Sequence, residues 1–120
     1  MDTIHAESTP PGRGGISVVR VTGPAARVIA EDLAGALPRA RFSYLRAVRD
    51  GDRLIDRALL VRFDAGASFT GEEVVEFHLH GAPIISRLLQ GALLARGSRP
   101  AMPGEFTQRG FLNGQLDLSE

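Results

Sequence analysis

From Val75 onward, the stretch Glu73-Val74-Val75-Glu76-Phe77-His78-Leu79-His80 alternates apolar and polar side chains. Successive side chains of an extended strand point to opposite faces. Val75, Phe77 and Leu79 therefore form one apolar face, and Glu76, His78 and His80 share the other. Such a strand lies with one side on a core, and the rest of the chain is read as what pairs with it and covers it. Residues 16 to 22, Ile16-Ser17-Val18-Val19-Arg20-Val21-Thr22, are rich in β-branched side chains and predict a buried strand. Residues 3 to 8 predict a short strand before it. The intervening Pro10-Pro11-Gly12-Arg13-Gly14-Gly15 excludes regular structure, because proline lacks a donor and glycine is conformationally loose. Residues 42 to 49 and 54 to 63 are strand-like and meet through Arg49-Asp50-Gly51-Asp52, where Asp-Gly signals a hairpin. Gly66 to Gly71 predict a loop.

Two helices complete the pattern. The first opens at Pro24 and runs to Ala34, with Val28, Ile29 and Leu33 on its core face and Gly35 ending it. The second runs from Pro83 to Arg96, with Ile84, Ile85, Leu88, Leu89 and Ala92 facing the core and Gly97 closing it. After the turn Met102-Pro103-Gly104, residues Glu105 to Leu112 predict a short helix presenting Phe106 and Phe111, ended by Asn113-Gly114. Asp117 and Glu120 have the spacing of a capping box, so a further helix is expected to start at 117 in a longer protein. The order β, β, α, β, β, β, α predicts an α+β fold, a mixed sheet with helices packed on one face.

At 120 residues the chain has the length of one domain. Its fourteen basic residues, all arginine, balance fourteen acidic ones. A net charge of zero lacks the electrostatic footprint of an autonomous nucleic-acid binder, so RNA contact is expected to come through other domains. There is no cysteine, hence no disulfide framework and no thiolate nucleophile or metal site. No apolar run approaches the ~18 residues of a membrane span, and the N-terminus shows no signal-peptide pattern, so no membrane contact and a cytoplasmic location are expected.

Three constellations carry chemistry. Glu76, His78 and His80 on one strand face offer metal-type ligands, but no third cluster joins them, and a polar strand face is the favoured reading. Arg20 interrupts a buried strand, where a charge is not left alone. It either pairs with a core carboxylate or receives a ligand carboxylate, and the residues alone leave both readings open. Gly12-Arg13-Gly14-Gly15 lacks the Lys-Ser/Thr of a phosphate loop and leads into a strand, so it is read as a tight connection. No catalytic constellation stands out, and neither a catalytic residue nor a bound metal is expected.

Four segments in order resemble the N-terminal domain of the MnmE (TrmE) family of tRNA-modifying GTPases. They are Asp2-Thr3-Ile4; Thr9 to Ile16 leading to Val19-Arg20-Val21-Thr22-Gly23; Ser68-Phe69-Thr70-Gly71-Glu72-Glu73-Val74-Val75-Glu76 with His80-Gly81; and Pro103-Gly104-Glu105-Phe106-Thr107-Gln108-Arg109 running on to Phe111-Leu112-Asn113-Gly114-Gln115-Leu116-Asp117-Leu118. The resemblance implies a folate-binding fold like that of aminomethyltransferases. It assigns residues 1–116 to an N-terminal folate-binding and dimerisation domain and 117–120 to the start of a central helical domain. The cofactor it implies is 5-formyl- or methylene-tetrahydrofolate, with contacts falling on Arg20, Glu76 and Gln115. Glu76 would accept the paired N–H groups of the pterin, and Arg20 would receive a tail carboxylate. Family members usually carry lysine where Gln115 stands, and a second glycine where Ala82 stands.

The resemblance further implies a homodimer and an FAD-containing partner of the MnmG type. The whole enzyme adds an aminomethyl-type group to C5 of the tRNA wobble uridine, and tRNA is reached through the full-length complex. GTP, potassium and magnesium belong to a GTPase domain whose motifs are missing from these residues, so this chain alone is expected to lack GTPase activity. The alternatives are a dimerisation module of the same fold without ligand, and an aminomethyltransferase-like fragment, against which the lack of a second folate-fold half argues.

Overall fold

The apolar face of the 73–80 stretch is fully covered: Val75 and Phe77 have no exposed surface and Leu79 has 1%. A computed structural model describes residues 2–8 and 15–114. Its elements run β1 (Ile4–Glu7), β2 (Ile16–Thr22), α1 (Ala26–Ala34), β3 (Tyr44–Asp50), β4 (Arg53–Phe63), β5 (Val74–His80), α2 (Pro83–Ala95), β6 (Arg99–Pro100) and α3 (Glu105–Leu112). The strands form one sheet in the order β3-β4-β5-β2-β1-β6. Neighbours are antiparallel except for β1 and β6, so the sheet is mixed and the α+β expectation holds. The Asp-Gly hairpin joins β3 to β4, with an irregularity at Val48/Arg49.

Register decides what meets on each face. Arg20 lies opposite Ala6 on β1 and opposite Glu76 on β5, and Glu76 lies opposite Val61 on β4. These four residues form a row on the face away from the core. On the core face, Val19, Val21, Leu60, Val75 and Phe77 pack with α1 and α2.

Both helices are rotated relative to the faces expected from sequence. In α1 the buried residues are Ala26, Ile29, Ala30, Leu33 and Ala34, whereas Val28 is 70% exposed. Two alanines allow the helix to approach the sheet closely, and Val28, about 100° from Ile29, turns outward. In α2, Ser86, Leu89, Ala92 and Leu93 are buried, Ile85 and Leu88 are half-buried, and Ile84 is 53% exposed at the first turn. The start of α1 is set by Gly23 rather than by Pro24. A Cβ on Gly23 would lie 2.6 Å from Thr3 Cα, at a φ of 133°. This close approach lets the Thr3 hydroxyl accept from Ala25 N at 2.9 Å.

Strand β6, two residues long, has no strand signal in its sequence. It exists because Arg99 N donates to Thr3 O and Ala101 N to His5 O. That pairing delivers the chain to α3, whose Arg109 is 3% exposed. Its guanidinium donates to Asp2 O and Asp2 Oδ1, both at 2.6 Å, and to Glu72 Oε1 at 3.1 Å. Arg99 meanwhile bridges Asp2 and Glu105. The expected helix from Asp117 lies outside the described residues.

This network gives α3 a pH dependence. Arg99, with Met102 N, holds the Glu105 carboxyl at about 2, and Arg99 and Arg109 outweigh desolvation to bring Asp2 to about 2. A carboxyl depressed in the folded state contributes stability that is present above its ordinary value and is lost as pH falls. We predict that thermal stability followed by circular dichroism declines as pH falls from about 5 towards 2. Glu105→Gln should flatten part of that decline; an unaltered pH profile in the variant would contradict the assignment.

Candidate ligand-binding site

Cross-strand register brings Arg20 and Glu76 side by side, and their contact is direct: Arg20 Nε donates to Glu76 Oε2 at 2.7 Å. Of the two readings open for Arg20, the one with a carboxylate partner inside the chain is realised. The pair is not sealed, because the Arg20 side chain is 39% exposed and that of Glu76 17%. The second oxygen, Glu76 Oε1, lies 2.9 Å from His78 Nε2. Partial burial pushes the Glu76 carboxyl up, but hydrogen bonds and charge from Arg20 and His78 together hold it below the usual range. Glu76 therefore stands ionised, with two of its roughly four acceptor positions used.

His80, on the same strand face, turns elsewhere. Its backbone N donates to Asp56 Oδ2, and Nδ1 lies 2.9 Å from Asp56 Oδ1. Among the described residues, no three His, Asp or Glu side chains gather as a metal-ligand group.

The Arg20–Glu76 pair lies in the wall of a cleft of about 610 Å³. Ala6 and Ser8 flank the pair, Phe69 stands on one side, and residues 101–107 form the opposite wall with Met102 and Phe106. A smaller cavity of about 210 Å³ shares Arg20, Glu76, Phe69 and Phe106 and extends to Arg41 and Phe63. The result is a largely apolar slot whose wall holds the Arg20–Glu76 pair on the sheet side and Glu105 on the α3 side.

Two local devices hold its sides. Gly104 takes a left-handed conformation (φ 75°), which turns the chain into α3 and carries Phe106 over the cleft. On the other side, the 68–72 loop is sewn to its neighbours. The Thr70 and Thr22 hydroxyls lie 2.7 Å apart, Gly71 N donates to Ser68 Oγ at 3.0 Å, and Asn113 Nδ2 donates to Thr70 O at 3.0 Å. Phe69 projects from this loop, 54% exposed.

Of the residues expected from sequence, Arg20 and Glu76 come together in one cleft. Gln115 and the loop from Thr9 to Gly14 lie outside the described residues. Sequence reasoning did not single out Phe69, Met102, Phe106 or the anchor Arg109 as parts of the site. The available signal was positional, since Phe69, Phe106 and Arg109 fall inside the motif-bearing segments that also carry Glu76 and Gln115.

The family model described as GTP-binding protein TrmE N-terminus matches residues 3–115. A protein of Paracoccus denitrificans named tRNA modification GTPase MnmE is 63% identical over 120 residues, which is 100% of this chain and 29% of that protein. Proteins of the same name from Halorhodospira halophila and Coxiella burnetii are 48% and 43% identical, each covering 99% of this chain and 26% of its own length. The chain thus spans less than a third of the length of these relatives.

The ion pair is open to a direct test. In urea unfolding, a double-mutant cycle with Arg20→Ala and Glu76→Ala should give a coupling of about 0.5–1 kcal/mol, the upper range for a half-exposed pair. Strict additivity would show that the two side chains do not act together.

Proposed function

The chain belongs to the TrmE N-terminus family, and we propose that it serves as the tetrahydrofolate-binding and homodimerising module of a tRNA modification GTPase. The observation that carries the proposal is the cleft itself. Its volume lies in the usual range for a small-molecule site, its walls are largely apolar, and its polar groups are few and convergent. We place the flat pterin ring in the part of the cleft lined by Phe69 and Phe106. Glu76, held ionised, has acceptor positions left for the adjacent amino and ring N–H groups of a pterin. Arg20 uses Nε on Glu76, and its terminal nitrogens remain to donate to an oxygen of the ligand.

Because the two side chains touch, we assign both to the same end of the ligand. Arg20 then serves the pterin region, rather than the distant tail carboxylate that the resemblance alone implies. Gln115 is proposed as a third contact, a neutral amide in place of the usual lysine. When bound, 5-formyl- or methylene-tetrahydrofolate supplies the one-carbon unit, and the residues of this chain bind and orient it.

A second copy is proposed to cover the sheet face that carries Glu76. That face also presents Ile16, Leu45 and Leu59, which are 53%, 69% and 45% exposed. Apolar residues gathered on an open sheet face mark an association surface. In the longer protein we place GTP hydrolysis, with its potassium and magnesium, and docking of an MnmG-type FAD protein on parts beyond this chain. The product we propose for the whole assembly is an aminomethyl-type substituent on C5 of the tRNA wobble uridine.

One observation favours a second reading, a dimerisation module without ligand: Arg20 and Glu76 already satisfy each other. Calorimetric titration with 5-formyl-tetrahydrofolate separates the two. We expect saturable binding that Glu76→Gln weakens roughly ten- to a hundredfold, since a donor then faces the pterin amino group at a cost of about 1–3 kcal/mol. Gln115→Lys should tighten binding by no more than about tenfold. Sedimentation of the same sample should show a dimer of 12.8 kDa chains. No binding by the unmodified chain, or curves unchanged in both Glu76→Gln and Arg20→Ala, would remove the folate site; a monomer alone would remove the dimer.

A further inference from the structure

The zero net charge conceals a segregation of charge. Residues 38 to 63 contain seven arginines and three aspartates, an excess of four positive charges, and the rest of the chain carries the matching negative excess. The ion pairs sharpen the contrast. Arg20, Arg27, Arg62, Arg96, Arg99 and Arg109 each have a carboxylate partner. Among the described residues, Arg39, Arg41, Arg46, Arg49, Arg53 and Arg57 have none. Of the three aspartates in this stretch, Asp50 pairs with Arg96 and Asp56 with His80, which leaves Asp52 at the hairpin against these six arginines. These six arginines follow the loop before β3, the edge strand β3 itself and the start of β4, and of them Arg46 also donates to Ala36 O at 3.1 Å and to Leu45 O at 3.4 Å.

Three of the six stand over aromatic rings: Arg39 is 4.2 Å from the Phe42 centroid, Arg46 4.7 Å from Tyr44 and Arg41 5.6 Å from Phe63. Arg41 has a φ of 67°, the sole positive value at a described non-glycine residue. That left-handed backbone is costly for a long side chain, and such strain concentrates at binding sites. The strain is held in place because Arg41 N donates to Arg62 O, and the buried Arg62 fixes the loop through Pro38 O. Phe42 is 46% exposed. With Arg39 against the ring, its accessible surface remains for a second flat partner.

We propose that this edge, from Arg39 to Arg53, is a docking surface for the single-stranded or loop portion of a folded RNA. A row of unpaired arginines about 20 Å long, the length of a seven-residue strand, tracks a phosphate backbone. The exposed aromatic ring supplies the stacking platform that unpaired bases use. The inference rests on charge and geometry and does not depend on the folate reading.

Fluorescence anisotropy with a labelled RNA stem-loop tests it. The unmodified chain should bind saturably, and about five phosphate contacts on a single strand predict a slope of log K against log salt near −3.5. Arg49→Gln combined with Arg53→Gln, two residues with no partner to lose, should weaken binding several-fold and reduce that slope by about 1.4. Phe42→Ala should weaken binding to the stem-loop more than to a blunt duplex. Arg87→Gln, an unpaired arginine away from the edge, should change nothing. No saturable binding by the unmodified chain overturns the proposal and leaves these charges as guards against strand pairing at the sheet edge. Equal loss in Arg87→Gln, or competition by polyglutamate as effective as unlabelled RNA, also overturns it, the latter in favour of an acidic protein partner.

Discussion

The site depends on one buried cation. A guanidinium removed from water is tolerated only when acceptors surround it. Arg109 finds them on three segments: the carbonyl and carboxylate of Asp2 at the N-terminus, Glu72 beside β5, and Glu105 one turn back in its own helix. Helix α3 has eight residues, too few to persist alone, and beyond Arg109 it buries only Gly110. Satisfying Arg109 therefore does more than stabilise a helix. It requires the two ends of the described chain and the 68–73 loop to converge, and the cleft is the space left between them and the polar face of the sheet.

The same division of labour runs through the molecule. One sheet face carries the core under α1 and α2, built from Val19, Val21, Val75, Phe77 and Leu60. The other holds Glu76 between Arg20 and His78, each in contact with one of its oxygens. An edge of arginines without carboxylate partners lies beyond β4, one strand away from Glu76, and meets the smaller cavity at Arg41. Neutral overall composition thus arises from opposed regions, with acidic charge gathered in residues 2–8 and 72–76.

What was legible from sequence follows how local each signal is. Strand alternation in 75–80, the Asp-Gly hairpin and the helix that Pro83 opens are set by neighbouring residues and appear as expected, whereas the first helix starts at Ala26, past Pro24, where Gly23 meets Thr3. Helix faces are set by what lies beneath them, which is why Val28 and Ile84 turn outward while Ala26, Ala30 and Leu93 turn inward. Strand β6 has no local signal because its only support is pairing with β1. Arg20 and Glu76 were each conspicuous as charged residues in apolar strands, yet their contact spans 56 positions and follows from register alone. Apart from its place in a motif-bearing segment, Arg109 gave no signal: an arginine in a short polar helix reads as solvated until Asp2, more than a hundred residues away, is placed beside it.

The central claim is that the space between the Arg20–Glu76 pair and α3 receives a pterin-bearing ligand. Amide-resolved NMR during titration with 5-formyl-tetrahydrofolate tests that most directly, because it locates binding independently of affinity. The account predicts shifts concentrated at Arg20, Phe69, Glu76 and residues 102–107, with the amides of α1 unmoved. Shifts absent at saturating ligand, or confined to positions away from this cleft, would contradict it.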